Sequence, residues 1–233
     1  MQTNYVLYQY PLRACSSVTV NAMMEVGLDF EDRVVDIRAG EQNEAAYRKI
    51  HPFGKVPALS VNGTVIIENV AILLYIDAIT PNILFPKAKS QLDRATFHAD
   101  LVWCTATMHT AVRQVRMPMR YAEGDIAGVQ NKGIQEMTHI LNVIEKRLVS
   151  DRWWYGSHWS ILDVYINWGI ATAASTDLLP MQSYPAIRSH IQRVRERPSF
   201  QSAFLRQSAA KERAGLVFPG EDTWTTDFER SIA

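Results

Sequence analysis

The chain has 233 residues, 47% apolar and 21% charged, with 24 acidic and 24 basic side chains and a formal net charge of zero. That length allows one or two cores, and the composition is ordinary for a soluble globular protein. The charge balance argues against nucleic acid or an anionic membrane as the main partner, since either usually leaves a basic excess.

Two cysteines, Cys15 and Cys104, are too few for a disulfide framework, and a reducing cytoplasm suits them better. The opening "MQTNYVLYQYPL" lacks the charged start and long apolar centre of a signal peptide. No apolar run approaches the length that crosses a bilayer, and there is no internal repeat or phosphate-cradling glycine motif. No metal site is expected.

In chain order, "YVLYQY" (5–10) predicts a short strand, rich in aromatic and β-branched residues. "SSVTVNAMMEVG" places Val18, Ala22 and Val26 at helical spacing, with Gly27 as the stop. "FEDRVVDI" (30–37) is a second strand, and "EAAYRKIHPFG" a short helix or turn ending near Pro52. "VPALSV" (56–61) and "TVIIE" (64–68) flank Asn62-Gly63, a strong hairpin signal. "NVAILLYIDAI" (69–79) is helical and Pro81 closes it. The order β-α-β-α-β-β-α predicts an α/β layer with a mixed sheet over residues 1–80.

Residues 81–89 form a linker bounded by prolines, and no strand is expected after it. "QLDRATFHADLVWCTATMHTAVRQVRM" predicts one long helix. "IQEMTHILNVIEKRL" (134–148) is amphipathic, and "ILDVYINWGIATAAS" is apolar nearly all round, as a central buried helix is. Two shorter helices meet at Pro198. The expectation is an all-α domain over 90–208 and an extension over 209–233, whose Phe218, Trp224 and Phe228 suggest that it packs back onto the protein.

Three stretches carry chemistry or its scaffold. In "GKVPAL", Pro57 follows Val56 in a turn that feeds a strand. A cis bond there would turn the N–H and C=O of Val56 outward toward an extended peptide-like ligand, although trans is the commoner state. In "IIENVAI", Glu68 and Asn69 fall where a strand gives way to a helix. Helix-start N–H groups attract a carboxylate, Asn69 is a good N-cap, and Glu68 could pair with an ammonium. In "SILDVYI", Ser160 and Asp163 are close to a capping box, a structural signal that starts the buried helix.

Taken together, this strand and helix order, the "VPAL" turn, the acid-plus-cap pair and the S-x-x-D start of a buried helix resemble the cytosolic glutathione transferase family over about residues 4–207. The resemblance implies an N-terminal thioredoxin-like domain followed by an all-helical domain. It implies that Pro57 is cis, that Val56 pairs its backbone with the cysteinyl part of glutathione, and that Glu68 and Asn69 hold the γ-glutamyl group. Asn69 departs from the family's usual Ser or Thr. Lys55 is a candidate for the glycine carboxylate.

"YQYPLRACSSVTV" is similar to the bacterial beta-type pattern Y-x-P-G-A-C-S, which puts Cys15 on the family's cysteine. A thiolate at a helix N-terminus is favoured by the dipole and unpaired N–H groups. The hydroxyl of Ser16 or Ser17 is the alternative sulfur-facing group, Tyr8 is a further candidate, and a merely packed Cys15 is the third reading. Arg13 stands where the pattern has Gly, which restricts positive φ there. By the same resemblance, His109 faces the cysteine from the helical domain. Trp103, Thr105, Ala106 and His109 are expected on one broad face, and Tyr10, Trp103, Ala106 and Arg113 are expected to line the substrate cleft between the domains.

The implied function is a glutathione transferase that activates the glutathione thiolate against a small electrophile, acting as a cytoplasmic homodimer. A non-catalytic binding protein of the same fold and a glutathione-dependent thiol-transferase are the alternatives. Without a C-x-x-C motif, a glutaredoxin-like reductase is disfavoured.

Overall fold

The computed structural model describes residues 3–218; Trp224 and Phe228 lie outside them. Within that range, 3–84 and 197–218 form one compact unit and 85–196 a second.

The first unit opens with β1 (Tyr5–Gln9), α1 (Ser16–Glu25) and β2 (Glu31–Val34). A single 3-10 turn then precedes α2 (Ala45–Arg48), β3 (Ala58–Val61), β4 (Thr64–Ile67) and α3 (Asn69–Ile79). The sheet order is β2-β1-β3-β4. β1 pairs parallel with β2 and antiparallel with β3, and β3 pairs antiparallel with β4. This is the mixed sheet expected from the sequence. β1 has neighbours on both sides, which suits a strand with little polar character.

The hairpin forms where Asn62-Gly63 predicts it. Both residues have positive φ, 50° and 89°, as a two-residue I′ turn requires. Asn62 also ties the turn to β1, because its Oδ1 accepts the N–H of Asn4 at 2.8 Å.

The second unit is helical, apart from isolated bridges between 153 and 158: α4 (Gln91–Trp103), α5 (His109–Arg116), α6 (Ile126–Ser150), α7 (Ile161–Ala174) and α8 (Pro185–Arg195). α4 starts with a full capping box between Ser90 and Asp93. The long helix expected from residue 91 is interrupted by a π-helical turn, Cys104–Met108. That turn holds more residues than an α-turn and so rotates the faces beyond it. α6 begins earlier than its apolar stripe, at Ile126, capped by Asp125. It passes close to α5 at Gly133, where a Cβ would lie 2.6 Å from Gln114 Cβ.

Every residue of α7 is buried. The Oδ2 of Asp163 accepts the N–H of Ser160 (2.9 Å), and its Oδ1 accepts the N–H of Trp154 (2.8 Å) and lies 2.8 Å from His190 Nε2. One fully buried carboxylate thus fastens the start of α7 to the 153–158 loop and to α8.

The last helix, α9 (Pro198–Arg213), differs from its sequence expectation: it belongs to the first unit, packed on α1 and β2. Arg197 donates to Glu25 at 2.6 Å, and Arg206 Nε pairs with Asp32 at 2.8 Å while its guanidinium lies over the Phe30 ring. With α3 and α9 packed against it, α1 is buried from Ser16 to Met23, polar residues included.

Candidate functional site

The site begins at the loop between β1 and α1. Pro11 accepts the N–H of Arg13 at 2.8 Å, and the intervening Leu12 has φ 64°. A three-residue turn with positive φ is the rare, strained form of γ-turn. The positive φ falls on Leu12; Arg13 is not among the positive-φ residues. Two residues on, Cys15 is the N-cap of α1 and only 9% exposed.

The Cys15 thiol donates to the carbonyl of Val56 at 3.7 Å, within the sulfur range for such a contact. Val56 precedes Pro57, and the bond between them is cis. Its place is set by the sheet, since Tyr8 of β1 pairs with Ala58, the first residue of β3. The cysteine and the Val56 peptide, 41 residues apart in the chain, therefore share one edge of the first unit.

Glu68 and Asn69 complete that edge, with the N-cap position on Glu68 rather than on Asn69. The N-cap of α3 is Glu68, exposed and held at φ 70°, a conformation that costs on the order of 1–3 kcal/mol for a non-glycine residue. Asn69 is the first helical residue and is buried. Its Nδ2 donates to the carbonyl of Cys15 at 3.0 Å, and its Oδ1 accepts the hydroxyl of Thr19 at 2.5 Å. The Asn69 side chain is thus not a cap. It ties α3 to the first turn of α1, while the main chain at 68–69 presents the helix start. Lys55 is exposed, and its carbonyl accepts the Tyr47 hydroxyl at 2.6 Å. Burial pushes the Tyr47 phenol well above its ordinary pKa, so it stays a neutral donor there.

The serine alternatives have partners within the protein. Ser16, fully buried, accepts the N–H of Tyr10 (3.3 Å) and donates to the same residue's carbonyl (3.1 Å). Ser17 donates to Gln207 Oε1 at 2.7 Å. Both hydroxyls hold the loop and α1 in place. Tyr10, expected to line a cleft, is instead a core residue. Its ring lies 5.4 Å from that of Phe218, in a cluster with Leu12. Tyr8 is half-buried and packs against Tyr47.

In the second unit, the π-helical turn lies within residues 103–109, which are expected on one broad face. Trp103 stacks on Trp154 at 5.5 Å, Ala106 is exposed, and His109 meets the edge of Trp168 at 4.6 Å. Arg113 lies half-buried in the last turn of α5. Cys104 is fully buried, and burial pushes its thiol well above the ordinary cysteine range, with Asp100 and Asp163 adding to the effect. It is a packed core thiol. Among the described residues no cluster of His, Cys, Asp and Glu is placed to hold a metal, and no helix is long and apolar enough to cross a membrane.

Sequence reasoning missed Gln207, Asp32 and Thr19. The available signal was the α9 face Ala203, Gln207, Ala210, where a glutamine interrupts a stripe of small residues.

A four-stranded mixed sheet with a cis-proline turn beside a helix-capping cysteine, followed by a helical unit, defines a thioredoxin-like domain with an added all-α domain. Residues 3–78 match the family model "Glutathione S-transferase, N-terminal domain". Along 210 residues the chain is 26% identical to "Glutathione S-transferase Z2" of Arabidopsis thaliana, covering 87% of this chain and 91% of that protein. A solved bacterial beta-class glutathione S-transferase from Sphingomonas chungbukensis is 26% identical with a TM-score of 0.74, over 87% of this chain and 98% of that one. A glutathione transferase homologue from Sulfitobacter, solved with bound glutathione, shares the fold at a TM-score of 0.76 and 24% identity, over 92% and 99% of the two chains. Residues 3–78 thus carry a glutathione S-transferase N-terminal domain, and most of the chain is similar to glutathione S-transferases.

Proposed function

We propose that the protein is a glutathione transferase of beta-like type. One observation carries the reading: the Cys15 thiol lies 3.7 Å from the carbonyl of the residue before the cis-proline. In this reading the Val56 peptide pairs with the cysteinyl part of glutathione. Glu68 takes the γ-glutamyl ammonium, the N–H groups at the start of α3 take its carboxylate, and Lys55 takes the glycine end. Cys15 then meets the glutathione sulfur. The glutathione thiolate, placed at this helix start, is the form that attacks an electrophile. His109, Trp103, Ala106 and Arg113 are the second unit's candidates for the electrophile, which is small and hydrophobic or aromatic. A cytoplasmic homodimer is the form expected for such an enzyme.

A cysteine, rather than serine or tyrosine, at this position also favours a second reading as a thiol-transferase. The Cys15 thiolate would attack a glutathionyl mixed disulfide, taking the glutathionyl sulfur and releasing the other thiol. A second glutathione thiolate would then attack the Cys15–glutathione disulfide, leaving as glutathione disulfide and restoring the Cys15 thiolate.

Calorimetric titration with glutathione, run beside turnover of an electrophile panel and of a mixed-disulfide substrate, decides among these. Glu68→Ala is expected to weaken glutathione binding by roughly tenfold or more, for loss of a charge-assisted contact. Undiminished affinity in Glu68→Ala would remove the γ-glutamyl assignment. Cys15→Ser is expected to keep binding and lose most turnover. Binding without turnover in the unmodified protein would make it a binding member of the family.

A further inference from the structure

Gln207 lies in α9, 190 residues from Ser17 and 195 from Leu12, and is 3% exposed. Its Oε1 accepts two hydrogen bonds, from the Leu12 N–H at 2.9 Å and from the Ser17 hydroxyl at 2.7 Å, while its Nε2 donates to the Ala203 carbonyl at 3.2 Å. The two donors stand on either side of Cys15, three residues before it and two after. One of them belongs to the residue at the apex of the strained γ-turn. Such a turn persists only where its surroundings hold it. Here a single buried carboxamide oxygen holds both the turn and the first turn of the helix that Cys15 caps.

The rest of the C-terminal segment reinforces the same loop. Phe218 packs on Tyr10, with the guanidinium of Arg13 5.1 Å and the Lys211 ammonium 5.3 Å from its ring centre. Ala14, Val56 and Leu216 border the same cluster. Residues 197–218 therefore grip both sides of the site: the cysteine loop through Gln207 and Phe218, and Val56 through that cluster.

We infer that Gln207 is a positioning residue for Cys15: its carboxamide oxygen clamps the loop on both sides of the cysteine and keeps the thiol against the Val56 carbonyl. This rests on the reading in which Cys15 meets the glutathione sulfur. Without the acceptor, the turn relaxes toward ordinary φ and the thiol leaves Val56. The ligand-binding groups at Val56 and Glu68 are untouched. The Gln207 carboxamide then sets turnover rather than glutathione binding.

The test uses the full chain with Gln207→Met, which keeps length and bulk but loses the oxygen. Iodoacetamide alkylation at fixed pH is followed at Cys15 and Cys104 separately by mass spectrometry, and kcat and KM for glutathione are measured alongside. Cys15 is expected to alkylate about fivefold faster while Cys104, the internal reference for global opening, keeps its rate. Turnover is expected to fall by roughly tenfold through kcat, with KM for glutathione within about twofold of wild type. Should Gln207→Met not fold, Ser17→Ala removes only the lower half of the clamp and is expected to shift both readouts in the same direction by a smaller factor. Wild-type alkylation of Cys15 in the folded variant overturns the inference whatever the enzyme's activity. Full turnover in Cys15→Ser would instead overturn the role given to the cysteine, and the alkylation result would still judge the clamp.

Discussion

His51 is 1% exposed, with its ring stacked 6.5 Å from Tyr47 and edge-on to Phe53, and it sits at the head of the segment that leads to Val56 and Pro57. Burial is the main cause of its lowered pKa, with Lys55 and Arg48 lowering it further and Glu68 opposing them. The folded state therefore prefers the neutral ring, and the unfolded chain, titrating near 6.5, binds the proton first as pH falls. Stability is thus full above about pH 6.5 and is lost on acidification toward the folded-state value. Urea unfolding between pH 7.5 and 5 is expected to show a steeper decline in the wild type than in His51→Gln. Parallel curves would show that other groups carry the acid sensitivity. His51 precedes Pro52 in a stretch that reads as a turn, so nothing in its local pattern announced a buried ring.

At the scale of elements, strand and helix order was legible because it rests on local signals: aromatic and β-branched runs, the Asn62-Gly63 turn, and Gly27 and Pro81 as stops. Three features were not. The π-helical turn at Cys104–Met108 shifts an apolar periodicity by about one residue, too little to break the pattern. The burial of the polar residues of α1 has no local signal, because the element that covers them lies some 190 residues away. The domain to which α9 belongs was invisible, since an amphipathic stripe after Pro198 says only that some core receives it.

The ion pair between β2 and α9 shows what that docking demands. Asp32 is nearly buried, and desolvation raises its pKa while Arg206, Gln9 and Arg213 pull it down. Gln9 donates to it at 2.5 Å, and Arg213 stands 3.8 Å away, largely exposed. Arg206→Met should strand the carboxylate and cost roughly 2–3 kcal/mol, less than breaking a fully buried pair, because Arg206 is partly exposed and Arg213 remains. Adding Asp32→Asn should recover most of that loss, since removing both charges also removes the desolvation penalty. Urea midpoints of the two single variants and the double variant give the coupling. A double variant no more stable than Arg206→Met would mean the pair is not what the interface depends on.

For the whole molecule, the consequence is that chain order and structural units do not coincide. The backbone leaves the first unit near Leu84, builds the helices α4–α8, and returns at Arg197. The first 84 residues alone would leave the Leu12 N–H and the Ser17 hydroxyl without Gln207, Asp32 without Arg206, and Tyr10 without Phe218. Each lost partner of a buried polar group costs about 1–3 kcal/mol, a large share of the few kcal/mol that keep such a unit folded. A chain ending at Glu196, compared with one ending at Phe218, is therefore expected to lose glutathione retention and the cooperative unfolding of the sheet-containing unit. The α4–α8 unit keeps its own core, centred on α7 and the Asp163 carboxylate, so helical circular dichroism should survive in the shorter chain. Glutathione retention equal to that of the 218-residue chain would show that α9 is dispensable to the first unit. Hydrogen exchange on both chains would place the loss: protection should vanish from α1 and β2 first, the two elements that α9 covers, and persist in α7.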